Sequence, residues 1–313
     1  ELYEEFEKNK NNAKALDKLL VRLSKIKFFD PACGSGNFLI ITYKELRNLE
    51  IQIIKQLIDL GENKLYFTEI SLNQFYGIEI KDFAHEMAIL SLWLAEHQMN
   101  QVFENELMDY GKSKPILPLK EAGNITHGNA ARVDWEIACP KKENDEIYII
   151  GNPPYLGSRN QDAEQKSDME AVFRKDYKSL DYVAIWFYKG AKFIEGINAE
   201  LAFVSTNSIC QGLLVALTWQ RILSENIEIG FAYQSFKWTN NAKANAGVTV
   251  IIIGLRNTSN KPKWLFTESI AKEVKNINAY LLDSPNIYIS PLNGSISRFP
   301  TMNFGNMPAD GGN

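Results

Sequence analysis

A short apolar strand, a glycine turn and a long helical segment follow one another near the start of the chain. Ile26–Phe29 is the apolar run, residues 30–36 read Asp-Pro-Ala-Cys-Gly-Ser-Gly, and Leu39–Ile58 has a helical pattern. Glycines let the backbone approach a ligand closely, and the start of a helix offers free N–H groups. This order therefore predicts a nucleotide-type site in an open α/β sheet.

The turn itself indicates which ligand it binds. A dinucleotide fingerprint would have a third glycine where Leu39 stands, and a phosphate loop would have a lysine after its glycines. Here an acid leads the turn, Asp30, and a carboxylate suits a ligand with a cationic centre. S-adenosylmethionine carries a sulfonium and an ammonium group and no phosphate, so we predict it as the cofactor. The alternative is a tight turn with a purely structural role.

The next clear strand, Phe75–Ile80, ends in a second acid. Glu79 is expected at the end of this strand, where a carboxylate can accept both ribose hydroxyls of a nucleoside, and Ile80 beside it can pack on the adenine ring. Glu79 lies 43 positions after Gly36, a spacing that predicts an enlarged crossover. Asp59 with Glu79-Ile80-Lys81 superficially resembles a nuclease pattern, but the ribose role fits a strand end better.

A third stretch, Ile147–Tyr155, carries the reacting groups that we predict. Its apolar half has the pattern of a buried strand, and two prolines then end the strand because they donate no N–H and fix φ. The Asn152 side-chain oxygen and the Pro153 carbonyl can each accept one hydrogen of an exocyclic base amine, which favours its nucleophilic form near the transition state. Pro154 stiffens the turn, and Tyr155 offers a face for stacking the base. The alternative is a strand that ends in a polar-capped proline turn.

Composition limits the remaining possibilities. The chain has 313 residues, 45% of them hydrophobic and 23% charged, with a net charge of −4. That charge argues weakly against tight, autonomous nucleic-acid binding. The three cysteines are scattered along the chain, which predicts a reducing, cytoplasmic location. These cysteines and the three histidines do not have the spacing of metal ligands, so we predict no metal. No apolar run approaches membrane-span length and no signal peptide is present, and Glu1 suggests that the chain is part of a longer protein.

Further apolar runs complete an α/β pattern. Additional strands are predicted at residues 123–130, 201–206, 227–233 and 248–255, which gives seven strands, and an amphipathic helix is predicted within residues 1–26. In the usual strand order, Asn129 and Ala130 would lie near the cofactor adenine. The polar stretch 156–178 is predicted as a loop that closes on a nucleic-acid backbone, with a solvated mixed-charge face as the alternative. Phe236 or Trp238 could form the second wall of a base pocket; the sequence does not choose between them or exclude core packing.

These motifs resemble a known family. Phe28–Leu39 resembles the cofactor motif of adenine-N6 DNA methyltransferases, and Asn152–Tyr155 resembles their catalytic motif; their order resembles the gamma class. The stretches 41–50, 151–160, 205–212 and 304–312 are most similar to the methyltransferase domain of MmeI-type fused restriction–modification enzymes.

The resemblance implies a Rossmann-like class I S-adenosylmethionine-dependent methyltransferase with a seven-stranded, mostly parallel sheet and flanking helices. It implies methylation of adenine N6 in double-stranded DNA within a restriction–modification system, with DNA bound through a recognition domain outside this chain. It also adds cofactor contacts by Pro31, Ala32, Cys33 and Phe38 to those of Asp30, Gly34 and Gly36.

The same tetrapeptide occurs in enzymes that methylate a protein glutamine or an RNA base, and those substrates are the alternatives, along with a non-catalytic DNA-docking module. The expected organisation is an N-terminal helical segment (1–26), a catalytic domain (27–256) and a linker entering a DNA-recognition region (257–313). Family members also have a segment upstream of the glycine turn that closes over the cofactor, and we expect this chain to lack it.

Overall fold

A mixed sheet with helices on both faces organises the chain. The computed structural model describes residues 1–113, 123–174, 177–237, 249–267 and 270–289. The strands are β1 (Lys27–Asp30), β2 (Tyr66–Phe67), β3 (Phe75–Glu79), β4 (Gly111–Lys112), β5 (Asn124–His127), β6 (Ile147–Gly151), β7 (Ala199–Thr206), β8 (Ile227–Lys237), β9 (Thr249–Asn257), β10 (Lys263–Phe266) and β11 (Ala271–Val274). The helices are α1 (Leu2–Asn9), α2 (Ala13–Leu23), α3 (Asn37–Asp59), α4 (Asp82–Leu107), α5 (Trp135–Ala138), α6 (Ala163–Phe173), α7 (Ala184–Ile194) and α8 (Leu213–Trp219).

Nine of these strands form the main sheet, in the order β11-β10-β8-β9-β7-β6-β1-β3-β5. The five strands from β7 to β5 in that order are mutually parallel, and β9 runs antiparallel to both of its neighbours. The carboxyl ends of β1, β3, β5, β6 and β7 therefore share one edge, which is where ligands bind in open α/β sheets.

The predicted fold class is confirmed, but the strand count differs. All seven predicted strands are present, and two more extend the sheet past β8: β10 pairs parallel with β8, and β11 pairs antiparallel with β10. Each added strand has only four residues. The sheet therefore continues beyond residue 256, where the sequence predicted the catalytic domain to end.

The two faces of the sheet bury different side chains because successive strand residues point in opposite directions. On β1, Phe28 packs in the core formed with α2, α3 and α4, whereas Phe29 packs in the opposite core with α5 and α7. The predicted N-terminal helix is two helices, since the chain turns at residues 10–12 and the Asn12 side chain accepts from the Ala15 N–H at 3.2 Å. Leu16, Leu19 and Leu23 of α2 are buried against the sheet core.

The described residues contain neither a helix that could span a membrane nor a cluster that could bind a metal ion. None of their helices combines the length and apolarity needed to cross a bilayer. Among the same residues, no cluster of three or more histidine, cysteine or acidic side chains is placed to hold a metal ion.

Candidate active site at the carboxyl edge of the sheet

The glycine turn joins β1 to α3 with two residues in the left-handed region. Gly34 has φ of +55° and Gly36, the residue before α3, has φ of +86°. Side chains are disfavoured at such angles. A Cβ placed on Gly36 would lie 3.4 Å from the Ala88 backbone, whereas a Cβ on Gly34 would have no heavy atom within 4 Å. The turn is thus packed against α4 at Gly36 and faces open space at Gly34, where a ligand could approach the backbone.

The other residues of the turn are fixed by backbone bonds. The Cys33 N–H donates to the Ile78 carbonyl at 3.1 Å, and the Pro31 carbonyl accepts from Trp186 Nε1 at 3.1 Å. Cys33 is buried, which raises the pKa of its thiol and keeps it protonated. Ala32 and Phe38 are half-buried on either side of the glycines. These residues shape the turn, and none of them supplies a charge to it.

The Glu79 carboxylate closes the same turn from the end of β3. It is 9% exposed, its Oε2 accepts from the Gly34 N–H at 2.9 Å, and its Oε1 accepts from the Lys81 N–H at 2.8 Å. A carboxylate has about four acceptor positions, so each oxygen retains one after these bonds. Glu79 is therefore held in one orientation and can still accept a pair of hydroxyl groups.

Asp30 lies at the end of β1 with 1% of its surface exposed. Its Oδ1 accepts from the Ala32 N–H at 3.0 Å, and a Cβ on Gly151 would come within 2.6 Å of the same oxygen, so only glycine fits there on β6. Burial raises the pKa of Asp30 to about 7, the Ala32 N–H opposes that shift, and the charge of Glu79 adds to it. The Asp30 carboxyl can thus change its charge near neutral pH.

The tetrapeptide Asn152–Tyr155 follows β6, as the sequence predicted. One of its side-chain atoms lacks the hydrogen bond that a buried polar atom usually makes. Asn152 Oδ1 is buried and has no hydrogen-bond partner among the described residues. Pro153 is buried, Pro154 is exposed, and Tyr155 is half-buried against the core. Leaving a buried acceptor unpaired costs about 1–3 kcal/mol, so the site favours any ligand that can donate a hydrogen to this oxygen.

The turn after β5 lies on the other side of the glycine turn. Asn129 Oδ1 accepts from the Ala131 N–H at 2.9 Å, and its Nδ2 donates to Asp168 Oδ2 at 2.9 Å. The buried Ala130 offers its carbonyl to Trp135 Nε1 at 2.9 Å and to Lys189 Nζ at 2.7 Å. These bonds connect the turn to α5, α6 and α7.

Ile80, at the end of β3, remains 53% exposed. Its carbonyl lies 3.0 Å from His127 Nε2, while its side chain is open to solvent. An exposed apolar side chain next to a carboxylate that can hold a diol is suited to the flat face of a nucleoside base.

Phe236 and Trp238 were predicted as candidates for the second wall of the base pocket, and Phe236 lies among the described residues. Phe236 was expected just after the sixth strand, but β8 continues through an irregularity between Tyr233 and Phe236, so Phe236 lies within β8 opposite Val250. It is half-buried and at the same edge as Asn152. Three strand spacings separate β8 from β6, roughly 14 Å between backbones. Trp238 lies outside the described residues.

The stretch predicted as a mobile loop contains a helix. Asp162 Oδ1 accepts from the Gln165 N–H at 2.8 Å and Gln165 Oε1 accepts from the Asp162 N–H at 3.0 Å, a reciprocal cap that starts α6. Met169 and Phe173, four residues apart, are buried in the core. The many charged residues of this segment obscured the short apolar pattern formed by Met169 and Phe173.

Two acidic residues that lie near the site were not predicted from the sequence. Asp168 bonds to Asn129, and Asp181 Oδ1 accepts from the N–H of Leu156, the residue after the tetrapeptide, at 2.9 Å. The Asp162–Gln165 cap could have indicated α6. Nothing in the local sequence indicates that Asp168 contacts a residue 39 positions earlier.

The chain resembles known proteins along most of its length. Residues 6–267 match the family described as MmeI, DNA-methyltransferase domain. The chain is 53% identical over 300 residues to DNA methyltransferase A of Bacillus subtilis (strain 168), covering 95% of this chain and 34% of that protein. It is 41% identical over 138 residues to a putative type II restriction enzyme and methyltransferase of Methanocaldococcus jannaschii, covering 43% of this chain and 11% of that protein.

A solved structure is similar over almost the whole chain. The Type IIL restriction-modification enzyme MmeI, determined in complex with DNA, superposes with a TM-score of 0.88 at 40% sequence identity. The match covers 99% of this chain and 42% of that one. The chain thus spans 42% of the MmeI chain and 34% of the Bacillus protein.

Proposed function

The chain belongs to the MmeI DNA-methyltransferase domain family, and from that membership and its site we propose that it transfers a methyl group to the N6 of adenine in DNA. The methyl donor is S-adenosylmethionine, and the setting is a restriction–modification system. The observation that supports this most directly is the unpaired, buried Asn152 Oδ1. It lies on the edge of the sheet that also carries the glycine turn and Glu79.

The residues of the glycine turn suit S-adenosylmethionine. Gly34 leaves the backbone open to the ligand, Glu79 has one free acceptor position on each oxygen for the two ribose hydroxyls, and Asp30 supplies a buried acid beside the cationic methionine portion. Asn129, Ala130 and Ile80 border the expected place of the adenine ring. When bound, the cofactor would supply an electrophilic methyl group on a sulfonium sulfur, whose loss would leave a neutral thioether.

The tetrapeptide prepares the amine for that transfer. Asn152 Oδ1 and the Pro153 carbonyl accept the two amino hydrogens, which directs the nitrogen lone pair away from the ring and stabilises the positive charge that grows on nitrogen. Tyr155 stacks on the base, which must leave the duplex to reach the site. Pro154 holds these groups in place. The extra proton leaves to solvent after transfer, and orientation supplies most of the rate.

The wider organisation follows from this role. We place the catalytic domain at residues 27–274, because β10 and β11 continue its sheet past residue 256; the helices of residues 1–26 precede it, and we assign the residues after it to the approach to a DNA-recognition region. Double-stranded DNA is then bound mainly by parts of the protein outside this chain. The location is the cytoplasm, where the cell's DNA is accessible.

The identity of the methylated atom can be tested directly. We expect the protein in its full natural length, incubated with labelled S-adenosylmethionine and genomic DNA that lacks methylated adenine, to yield N6-methyldeoxyadenosine when the nucleosides are separated by mass spectrometry. Label in a cytosine nucleoside would contradict the adenine assignment. Label that enters only RNA or added cell protein would instead support the alternative substrates, an RNA base or a glutamine side chain.

Cofactor affinity should depend on pH through Asp30. Its pKa of about 7 means that acid converts the carboxylate to a neutral carboxyl, which no longer attracts the ligand's cationic groups. Between pH 7.5 and pH 6.0 the ionised fraction falls about eightfold, and the Kd for S-adenosylmethionine should rise by about that factor. Calorimetric titration across this range measures it.

Asp30→Asn supplies the control, because an amide has no charge to lose in this range. Its affinity should be lower at pH 7.5 and nearly constant down to pH 6.0. An equal pH slope in the variant would assign the titration to another group.

A further inference from the structure

Asp168 is a buried carboxylate that belongs to neither motif. It lies on α6, is 1% exposed, and accepts three hydrogen bonds: from Asn129 Nδ2 at 2.9 Å, Arg132 Nε at 2.6 Å and Tyr182 Oη at 2.8 Å. Hydrogen bonds to an ionised acceptor are stronger than neutral ones, and a buried charge is retained only with its donors. Asp168 therefore ties together the elements that supply these donors.

Two of the donors come from the cofactor side of the site. Asn129 and Arg132 belong to the turn after β5, which borders the expected adenine position, and Asn129 has its other amide atom fixed by the Ala131 N–H at 2.9 Å. Movement of this turn relative to α6 requires breaking the bonds to Asp168. The turn and α6 are thus joined mainly through the Asp168 carboxylate, with one further bond from Arg132 Nη2 to Ser167 Oγ at 3.4 Å.

α6 is linked to the residue after the catalytic tetrapeptide through Tyr182, whose hydroxyl donates to Asp168 at 2.8 Å. The Leu156 carbonyl, one residue after Tyr155, accepts from Gln161 Nε2 at 3.0 Å and from the Tyr182 N–H at 3.0 Å. Asp181 Oδ1 accepts from the Leu156 N–H at 2.9 Å. Both ends of the segment 156–182 therefore lie next to Tyr155, and α6 lies between these ends in the sequence.

We propose that Asp168 is a positioning residue through which cofactor binding beside Asn129 orders α6 and the turn that carries Tyr155. A ligand that packs on the turn after β5 restricts its motion, and the bonds to Asp168 carry that restriction to α6. The consequence is an order of events in which the base-stacking side of the site becomes rigid once the methyl donor is in place. This inference rests on the proposed function, because it needs a cofactor beside Asn129.

Hydrogen exchange tests the proposal, with S-adenosylhomocysteine as the non-reactive probe and calorimetry to establish saturation. In the wild-type protein, saturating probe should slow the exchange of α6 amides by roughly tenfold. In Asp168→Asn that slowing should disappear even at saturation, and the Kd for the probe should rise by about tenfold.

Asp162→Ala is the matched control. It removes the carboxylate that caps α6 at Gln165 but leaves the bonds of Asp168. Exchange in α6 should be faster in this variant without ligand, while the slowing by the probe is kept. A variant that only loosened α6 would behave in this way, so the contrast separates positioning from helix stability.

The outcomes differ for the two proposals. Wild-type protein that binds the probe without slower exchange in α6, or Asp168→Asn that keeps the slowing, would overturn the positioning role alone. Absence of probe binding to folded wild-type protein would overturn the proposed function and this role with it. If Asp168→Asn does not fold, the double variant Asn129→Ala with Arg132→Ala removes both bonds from the turn and leaves Asp168 its bond from Tyr182; it should also lose the slowing.

Discussion

Replacing Asn152 by alanine is expected to slow methyl transfer to adenine by about 10²- to 10³-fold, the usual loss when one preorganised transition-state contact is removed. The Kd for S-adenosylmethionine should stay within about twofold, since in the proposed mechanism Asn152 contacts the base and not the cofactor, and it contributes no charge to the glycine turn. A single-turnover measurement with saturating cofactor and DNA isolates the chemical step.

The stability of the same variant distinguishes a catalytic role from a structural one. Asn152 Oδ1 has no hydrogen-bond partner among the described residues, so alanine removes a buried, unsatisfied acceptor. We therefore expect the free energy of unfolding to be unchanged or to rise by up to about 1 kcal/mol. A residue that the fold needed would show the opposite sign.

Asn160→Ala is a matched control, because Asn160 is an exposed asparagine in the segment after the tetrapeptide. It should retain the wild-type transfer rate to within about twofold, as surface substitutions usually do. Transfer by Asn152→Ala at the wild-type rate would contradict the proposed mechanism, whatever its effect on stability.

Much of the fold could be predicted because its strands have a local signal. Phe28–Phe29 and Ile147–Ile150 are apolar runs on parallel strands, and Ile251–Ile253 is one on the antiparallel β9; strands covered on both faces have that composition. Once the strands are parallel, their carboxyl ends meet at one edge, so the glycine turn, Glu79 and Asn152 were expected together.

The remaining features depend on contacts that no short stretch encodes. β10 and β11 have four residues each and become strands only by pairing at the edge left open by β8. The irregularity in β8 carries Phe236 into the strand, which the sequence predicted to end at residue 233. The bond between Asp168 and Asn129 joins residues 39 apart in the chain. Such features follow from packing between elements, which local propensity and periodicity do not specify.

Replacing Glu79 by alanine is expected to raise the Kd for S-adenosylmethionine by about 10²- to 10³-fold. Two charge-assisted bonds to ribose hydroxyls would be lost, each worth about 1.5–3 kcal/mol, partly offset by water in the space left behind. Loss of the bond from the Gly34 N–H, at 2.9 Å, should add to the rise in Kd, because Glu79 also holds the glycine turn in its open arrangement. Calorimetric titration of the folded variant measures the change.

The transfer rates of Glu79→Ala and Asn152→Ala should respond differently to cofactor concentration, which makes the pair more informative than either variant alone. Saturating cofactor should restore much of the transfer rate in Glu79→Ala, since the tetrapeptide is intact, whereas no cofactor concentration should restore it in Asn152→Ala. Glu86→Ala, which removes an exposed carboxylate from α4, should match the wild type in both measurements. Wild-type cofactor affinity in Glu79→Ala would exclude the ribose role and leave the glycine turn without a demonstrated ligand. A rate that stays low at saturation would instead show that Glu79 also positions the reacting groups, through its bond to Gly34.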